Sequence, residues 1–479
     1  MAVQAEGKRL DPHVVTDAAS MRLIENLYAT LLQYTPESGD VVPWLAESVQ
    51  ISPDGKTYRF QLVTNAVFHV SGRKVTSEDV AYSLQRIRDK GIRADAFSAV
   101  TEVQTPDPHT VVLKLSEPSA PLLTALANPM NAVVDREEVE ANGGRLDRVD
   151  AGCGPFELVE WVQGRHLILE RSKTFFEEGI PYLDRIDIRP IPDETARTTA
   201  LRNGEIDLLL NVAVKDLLIL QRSPDIRVQQ VPGTFWEYLG LNTRAPPLND
   251  VRVRQAIATA LDRPQLLSLI KFGPGELLPA GPIPSSHWAT LPDPLYPEPN
   301  PEKAVELLRQ AGVEEGVELT LTVGSSFPYQ VDAAQVVKQQ LRGVGIEVKL
   351  EALESGIFFD KLNQGDFEAT LVGWVGFVDP DEWLYNLFHS DGEWNQQGYA
   401  NPDVDRLLEE GRRRTDRERR REVYRQAQRI IATEAPMAFL YVNDVISAQR
   451  PQVQGFTPHP TGNTRGLRTT WLWNPVEGN

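Results

Sequence analysis

The stretch from Asn300 to Val442 constrains the fold most, because strand-like apolar runs and helix-period segments alternate along it. Asn300 is a capping residue, Pro301 suits the first helical position, and Gly312 ends the segment. A strand at 319–323, a helix at 331–342, a strand at 347–352 and a strand at 369–374 follow in turn, which predicts parallel units of an α/β sheet. Two charged helices, 402–414 and 416–434, lead to a strand at 439–442 and an irregular tail ending in Trp471 and Trp473. Within this region Gly373-Trp374-Val375-Gly376-Phe377-Val378-Asp379-Pro380 runs from a strand into a turn. Ligands tend to bind at such strand ends. Two glycines there let backbone approach a guest closely, and two aromatic faces are broad and rigid. The same aromatics also suit a core.

Earlier segments carry weaker signals. Residues 17–33 read as a helix with Leu23, Leu27 and Leu31 on one face. Pro53-Asp54-Gly55-Lys56 is a turn into an alternating strand at 57–62, and Thr76 caps a helix running to about Lys90. A strand at 111–115 completes a small α+β unit at 35–149. Gly152-Cys153-Gly154-Pro155 is a breakpoint. Strands at 166–170 and 186–190 follow, then a helix capped by Asp193 and the apolar run 206–210. Phe235 to Asn242 reads as a strand carrying aromatics into a second boundary. The helix after it, 250–262, is closed by Pro264, and 273–301 is a long loop.

A chain of 479 residues exceeds one ordinary core, so two or three domains are expected. The net charge of −18 repels phosphate backbones and anionic lipid, which argues against nucleic acid as a partner. The run Arg412-Arg413-Arg414 and Arg417 to Arg421 interleaves with acids and reads as a solvated helix face. Cys153 is the single cysteine, so neither an internal disulfide nor a cysteine zinc cluster is available. There is no apolar run of membrane-spanning length and no leader-like start, a pattern shared by cytosolic chains and by exported chains whose leader has been removed.

No motif for covalent chemistry is present: no Gly-x-Ser-x-Gly elbow, no phosphate-binding loop and no dinucleotide fingerprint, and no cofactor is expected. The seven histidines are scattered singly, so no metal site is readable from spacing; His13 and His389 stay open because they lie beside loops. The 67 acidic residues cannot be paired into acid and base by spacing, which leaves a secreted hydrolase as the rival of another class.

A collinear series of short stretches carries a resemblance. They are Leu10-Asp11-Pro12-His13, Val42 to Ser48, Phe68-His69 with Gly72, Val75 to Val80, and Gly154-Pro155-Phe156. Asn249 to Ala256, Ala260-Leu261-Asp262-Arg263, Gly281-Pro282-Ile283-Pro284, and Gly373-Trp374 with Asp379-Pro380 continue it. Over nearly its whole length the chain resembles the extracytoplasmic solute-binding proteins of the peptide/opine/nickel class of ABC importers.

The resemblance implies an α/β, two-lobed periplasmic-binding-protein-like fold with a discontinuous N-terminal domain and an inserted α+β domain. Its domains would be 1–34 with 150–238 and 447–479, the insert 35–149, and a second lobe 239–446. It implies a monomer outside the cell, periplasmic or membrane-tethered through a removed leader or lipoprotein anchor. The lobes would close over a solute and present it to a permease with its ATPase.

In relatives that hold free peptides, an Asp three residues after the motif Trp pairs with the ligand amine; here that position is Phe377, and Asp379 is either its substitute or a turn residue before Pro380. The loop that can supply a carboxylate-binding Arg reads Gly324-Ser325-Ser326-Phe327-Pro328-Tyr329, without a base. A short zwitterionic peptide would then bury both termini unpaired. A longer or blocked peptide, or an oligosaccharide, escapes that objection. The candidate contact residues are Gly373, Trp374, Val375, Gly376, Phe377, Asp379, Trp236, Tyr238, Phe327, Tyr329, Trp394, Asn395 and His13. For a nickel chelate, His389 is the one candidate ligand.

Overall fold

The computed structural model describes residues 1–35, 40–296, 298–313, 316–375 and 378–473. The chain divides into two compact units, Met1–Val231 with Val445–Asn479, and Pro232–Asp444.

The first unit is built on a seven-stranded sheet. Its order is Arg227–Val231, Val445–Gln449, Leu208–Leu210, Ala2–Val3, Arg185–Pro190, His166–Arg171, Phe156–Val162. The returning strand Val445–Gln449 lies antiparallel between two strands from earlier in the chain, so the C-terminal segment completes this sheet. Leu208 and Leu210 enter one core with Leu23, Ile24 and Leu27 of the helix Ala18–Leu27, while Leu209 enters another with Leu201 of the helix Glu194–Asn203. That two-residue period is the mark of a strand buried on both faces. A separate antiparallel sheet, ordered Ala46–Ile51, Thr57–Leu62, Thr110–Leu115, Val100–Asp107, packs with the helix Ser77–Lys90. Asp79 in the first turn of that helix accepts the Thr76 N–H at 2.9 Å, tying down its start.

The helix expected over 17–33 stops at Leu27. Its last carbonyl accepts the Gly154 N–H at 2.9 Å, and a Cβ at Gly152 would collide with the same oxygen. The Gly152-Cys153-Gly154 breakpoint is therefore a backbone dock that ends the helix, after which Leu32–Tyr34 pairs with Val41–Pro43. Cys153 is buried, and desolvation pushes its thiol up to about 12, which keeps it unreactive.

The second unit holds a mixed six-stranded sheet, ordered Glu276–Leu277, Met437–Val442, Phe235–Leu241, Ala369–Val375, Val317–Gly324, Ile346–Leu353. Val317–Gly324 runs parallel to both of its neighbours, as the alternating pattern predicts, while Phe235–Leu241 is antiparallel to both of its own. One face buries Leu239, Leu321 and Leu371 with Val253 and Ile257 of the helix Val251–Ala260. The other buries Trp236, Tyr238 and Phe439 with Trp383 of the helix Pro380–Phe388 and Tyr424 of the helix Arg417–Glu434. Pro264 opens a helix instead of closing one. Asp262 caps Arg263–Lys271 by accepting the Gln265 N–H, and proline in the first turn sacrifices no helical hydrogen bond.

Candidate functional site

Strand Ala369–Val375 pairs with Phe235–Leu241 in a register that sets Trp374 opposite Trp236 and Gly373 opposite Glu237. Directly opposed residues share a face, so the two pairs lie on opposite sides of the sheet. The candidate residues accordingly separate into two groups around one strand end.

On the Trp374 side, Trp236 is 0% exposed, with its ring 4.9 Å from Tyr238 and 5.7 Å from Phe439. Trp236 and Tyr238 are core, a correction to their place among contact residues: strand alternation turns both toward the helices packed on that face. Trp374 remains half-buried, 5.7 Å from the half-buried Trp394. Asn395 is spent locally, donating to the His389 and Tyr399 carbonyls and accepting the Tyr399 N–H.

On the Gly373 side, the Phe235 ring occupies the space that a Cβ at Gly373 would fill, so this glycine serves packing within the sheet. Beneath it lies a polar group that sequence reasoning missed. Glu237 is 0% exposed, and its Oε2 accepts from Gln330 Nε2 at 3.3 Å. Lys271 places its Nζ 4.2 Å from the centre of the Tyr329 ring and 5.9 Å from that of Tyr441, which is paired in register with Glu237. Among the described residues Glu237 Oε1, Gln330 Oε1 and Tyr441 Oη are buried without hydrogen-bond partners. Burial pushes the Glu237 carboxyl up and the Lys271 ammonium down, and the charge of each partly offsets the shift of the other. Phe327 and Tyr329 border this group, with ring centres 6.5 Å apart and the exposed Phe359 at 6.3 Å from Phe327. The only sequence signal was one acidic residue inside an aromatic strand, at Glu237.

Asp379 caps the helix Pro380–Phe388, and Arg420 holds both its oxygens at 2.6 and 2.9 Å. Burial pushes this carboxyl up, but the Arg420 charge and the hydrogen bonds outweigh it and keep the group below its usual range. Asp379 is therefore not available to a ligand amine. The Arg-rich run is a solvated face at Arg413, Arg417 and Arg419, which are exposed, and turns inward at two other positions. Arg420 is buried, and Arg412 pairs at 3.0 Å with Asp381, whose carboxyl burial pushes up to about 6.

His13 is likewise removed from the contact set. It is buried in the first unit, accepts from Arg86 at Nδ1 (2.8 Å) and donates from Nε2 to the Ala132 carbonyl (2.9 Å), a neutral ring that burial drives down to about 4. His389 stacks on Tyr385 at 4.4 Å, and its Nδ1 accepts the Asp391 N–H. Among the described residues no group of three or more His, Cys, Asp or Glu could hold a metal. Gly376 and Phe377 lie outside the described residues, as does the Val375 side chain.

The bacterial extracellular solute-binding proteins, family 5 Middle, match residues 40–396, and the chain belongs to that family. The oligopeptide-binding protein AppA of Bacillus subtilis is 29% identical, over 95% of this chain and 88% of the relative. Two solved structures share the whole fold. The periplasmic binding protein DppA of Helicobacter pylori, in complex with the peptide STSA, has a TM-score of 0.86 at 27% identity and covers 98% of this chain and 97% of its own. AgaA of A. tumefaciens, in complex with agropinic acid, has a TM-score of 0.88 at 28% identity, covering 99% and 98%. The architecture is thus the two-lobed α/β fold of extracellular solute-binding proteins. No helix among the described residues is long and apolar enough to cross a membrane.

Proposed function

We propose that this protein captures a peptide outside the cytoplasmic membrane and delivers it to the permease and ATPase of an ABC importer, acting as a monomer and doing no covalent chemistry. The observation that carries the reading is the strand end of the second unit. It pairs the half-buried rings of Trp374 and Trp394 on one face with the unpartnered acceptors of Glu237, Gln330 and Tyr441 on the other. A peptide supplies what that surface lacks: N–H donors for buried oxygens, and side chains for aromatic walls. The peptides named with AppA and DppA support this choice.

In this reading Trp374, Trp394, Val375, Gly376, Phe377, Phe327 and Tyr329 contact the solute, and Glu237 takes over the amine-facing role that Phe377 cannot fill. The three-domain division, with an insert at 35–149, and a lipoprotein tether belong to the same proposal.

The test is a thermal-shift panel of free peptides, oligosaccharides and nickel–histidine. Peptides are expected to raise the melting temperature. A rise with only a sugar or only the nickel chelate overturns the peptide reading, and turnover of a bound peptide supports the hydrolase.

A further inference from the structure

The polar group beneath Gly373 carries two unlike charges that do not meet. Lys271 ends the helix Arg263–Lys271, where a lysine ordinarily faces its own helix carbonyls. Here its ammonium lies over the Tyr329 and Tyr441 rings, and Glu237 is the one charge that acts on it. Among the described residues that ammonium makes no hydrogen bond and no contact ion pair. Around Glu237, the buried oxygens Glu237 Oε1, Gln330 Oε1, Tyr441 Oη and Asn443 Oδ1 lack a hydrogen-bond partner. Asn443 belongs with them because it helps hold the Glu237 charge. Each of these residues lies between Pro232 and Asp444, so the whole group sits within the second unit.

Glu237, Gln330 and Tyr441 are buried, whereas Lys271 and Tyr329 are only half-buried. The group therefore meets solvent at the lysine and the tyrosine, next to Phe272, which is 69% exposed. Unlike charges buried near one another gain most from direct contact, yet this lysine rests on two rings instead. Both ends of the group are thus short of partners: acceptors at the Glu237 end, an ammonium at the other. A guest that satisfies both ends carries N–H donors and an anionic oxygen a short distance apart. A neutral sugar supplies donors without the anion.

We propose that Lys271 binds a carboxylate of the transported solute while Glu237 holds its amine, so that the favoured solute carries the two groups on the same or adjacent residues. This rests on the peptide reading and supplies, inside the second unit, the carboxylate partner missing from the loop Gly324 to Tyr329. Two sources present that chemistry: an Asp or Glu at the first position of a peptide, and the C-terminus of a dipeptide.

Three degenerate libraries are captured on the immobilised full chain and read by mass spectrometry: tripeptide amides of neutral residues, tripeptide amides beginning with Asp or Glu, and neutral dipeptides as free acids. At least one carboxylate-bearing library is expected to be retained about tenfold or more over the neutral amides. Retention of the acidic-first amides assigns the side chain, and retention of the dipeptide acids assigns the C-terminus. Lys271→Met should erase the preference, and Lys271→Arg should keep part of it. Equal or greater retention of the neutral amides overturns the Lys271 site and leaves peptide binding standing. Retention of none overturns both. The library comparison uses the unmodified protein, so it decides the matter even if the variants fail to fold.

Discussion

Arg420 in the second unit and Arg465 in the first are both buried arginines packed near a tryptophan, yet they are held in opposite ways. Arg420 gives both amino groups to Asp379, its Nε to the Gly411 carbonyl, and lies 5.6 Å from the Trp288 ring. Arg465, over the Trp44 ring at 4.9 Å, has one hydroxyl partner, Thr30, and a committed carboxylate, Glu25, nearby. The first arrangement completes itself within the fold. The second leaves Nε and Nη1 without a protein acceptor among the described residues. Burial of a charge is common to both; what distinguishes them is whether the hydrogen-bond inventory closes.

Removing the partner of a satisfied pair breaks this comparison most forcefully. Asp379→Ala leaves Arg420 buried and unpaired, and is expected to cost about 3–5 kcal/mol in denaturant unfolding. A loss below about 1 kcal/mol would mean that Asp379 is not a staple.

The first unit has a buried ion pair of its own, Arg86 with Asp11, and His13 is wedged against it. Because burial lowers the His13 pKa from 6.5 to about 4, the unfolded chain takes up a proton that the folded chain refuses. The associated stability is fully present above pH 6.5 and is lost as pH falls through 4, by up to roughly 3 kcal/mol. Urea unfolding at steps between pH 7 and 4 should show that slope, and His13→Gln should flatten it.

At the candidate contact surface the expected effect is on affinity, not on folding. Trp374→Ala should weaken capture of a confirmed solute by about tenfold, since a half-buried aromatic anchor contributes on the order of 1–2 kcal/mol. Calorimetric titration checks this, and unchanged affinity removes Trp374 from the contact set. The smallest effect belongs to Arg465→Gln, whose unfolding free energy should move by less than about 1 kcal/mol, because the charge it deletes lacks acceptors. A loss as large as that of Asp379→Ala would place Arg465 among the staples and erase the contrast.

The sequence made the alternating sheet of the second unit legible because its helices carry caps and its strands carry runs of β-branched and leucine residues. The end of the first helix was not legible. Leu31 continues the helical period, and the chain stops at Leu27 only because glycines 125 and more residues away dock on its carbonyl. The site divides in the same manner. Trp374 could be found from a turn signal beside an aromatic. Trp236 could not be told from a contact residue, since facing depends on a register set by Trp374 across the sheet. Glu237, Lys271 and Arg465 were invisible for a further reason. An ordinary charged residue in sequence becomes notable only when burial and the absence of partners are known.

The central claim, that this chain holds a peptide, is tested most directly by native mass spectrometry of the protein as purified from its own cells. A bound species is expected that is released on unfolding and fragments as a peptide. A bound species that fragments as an oligosaccharide, or that carries nickel, would contradict it.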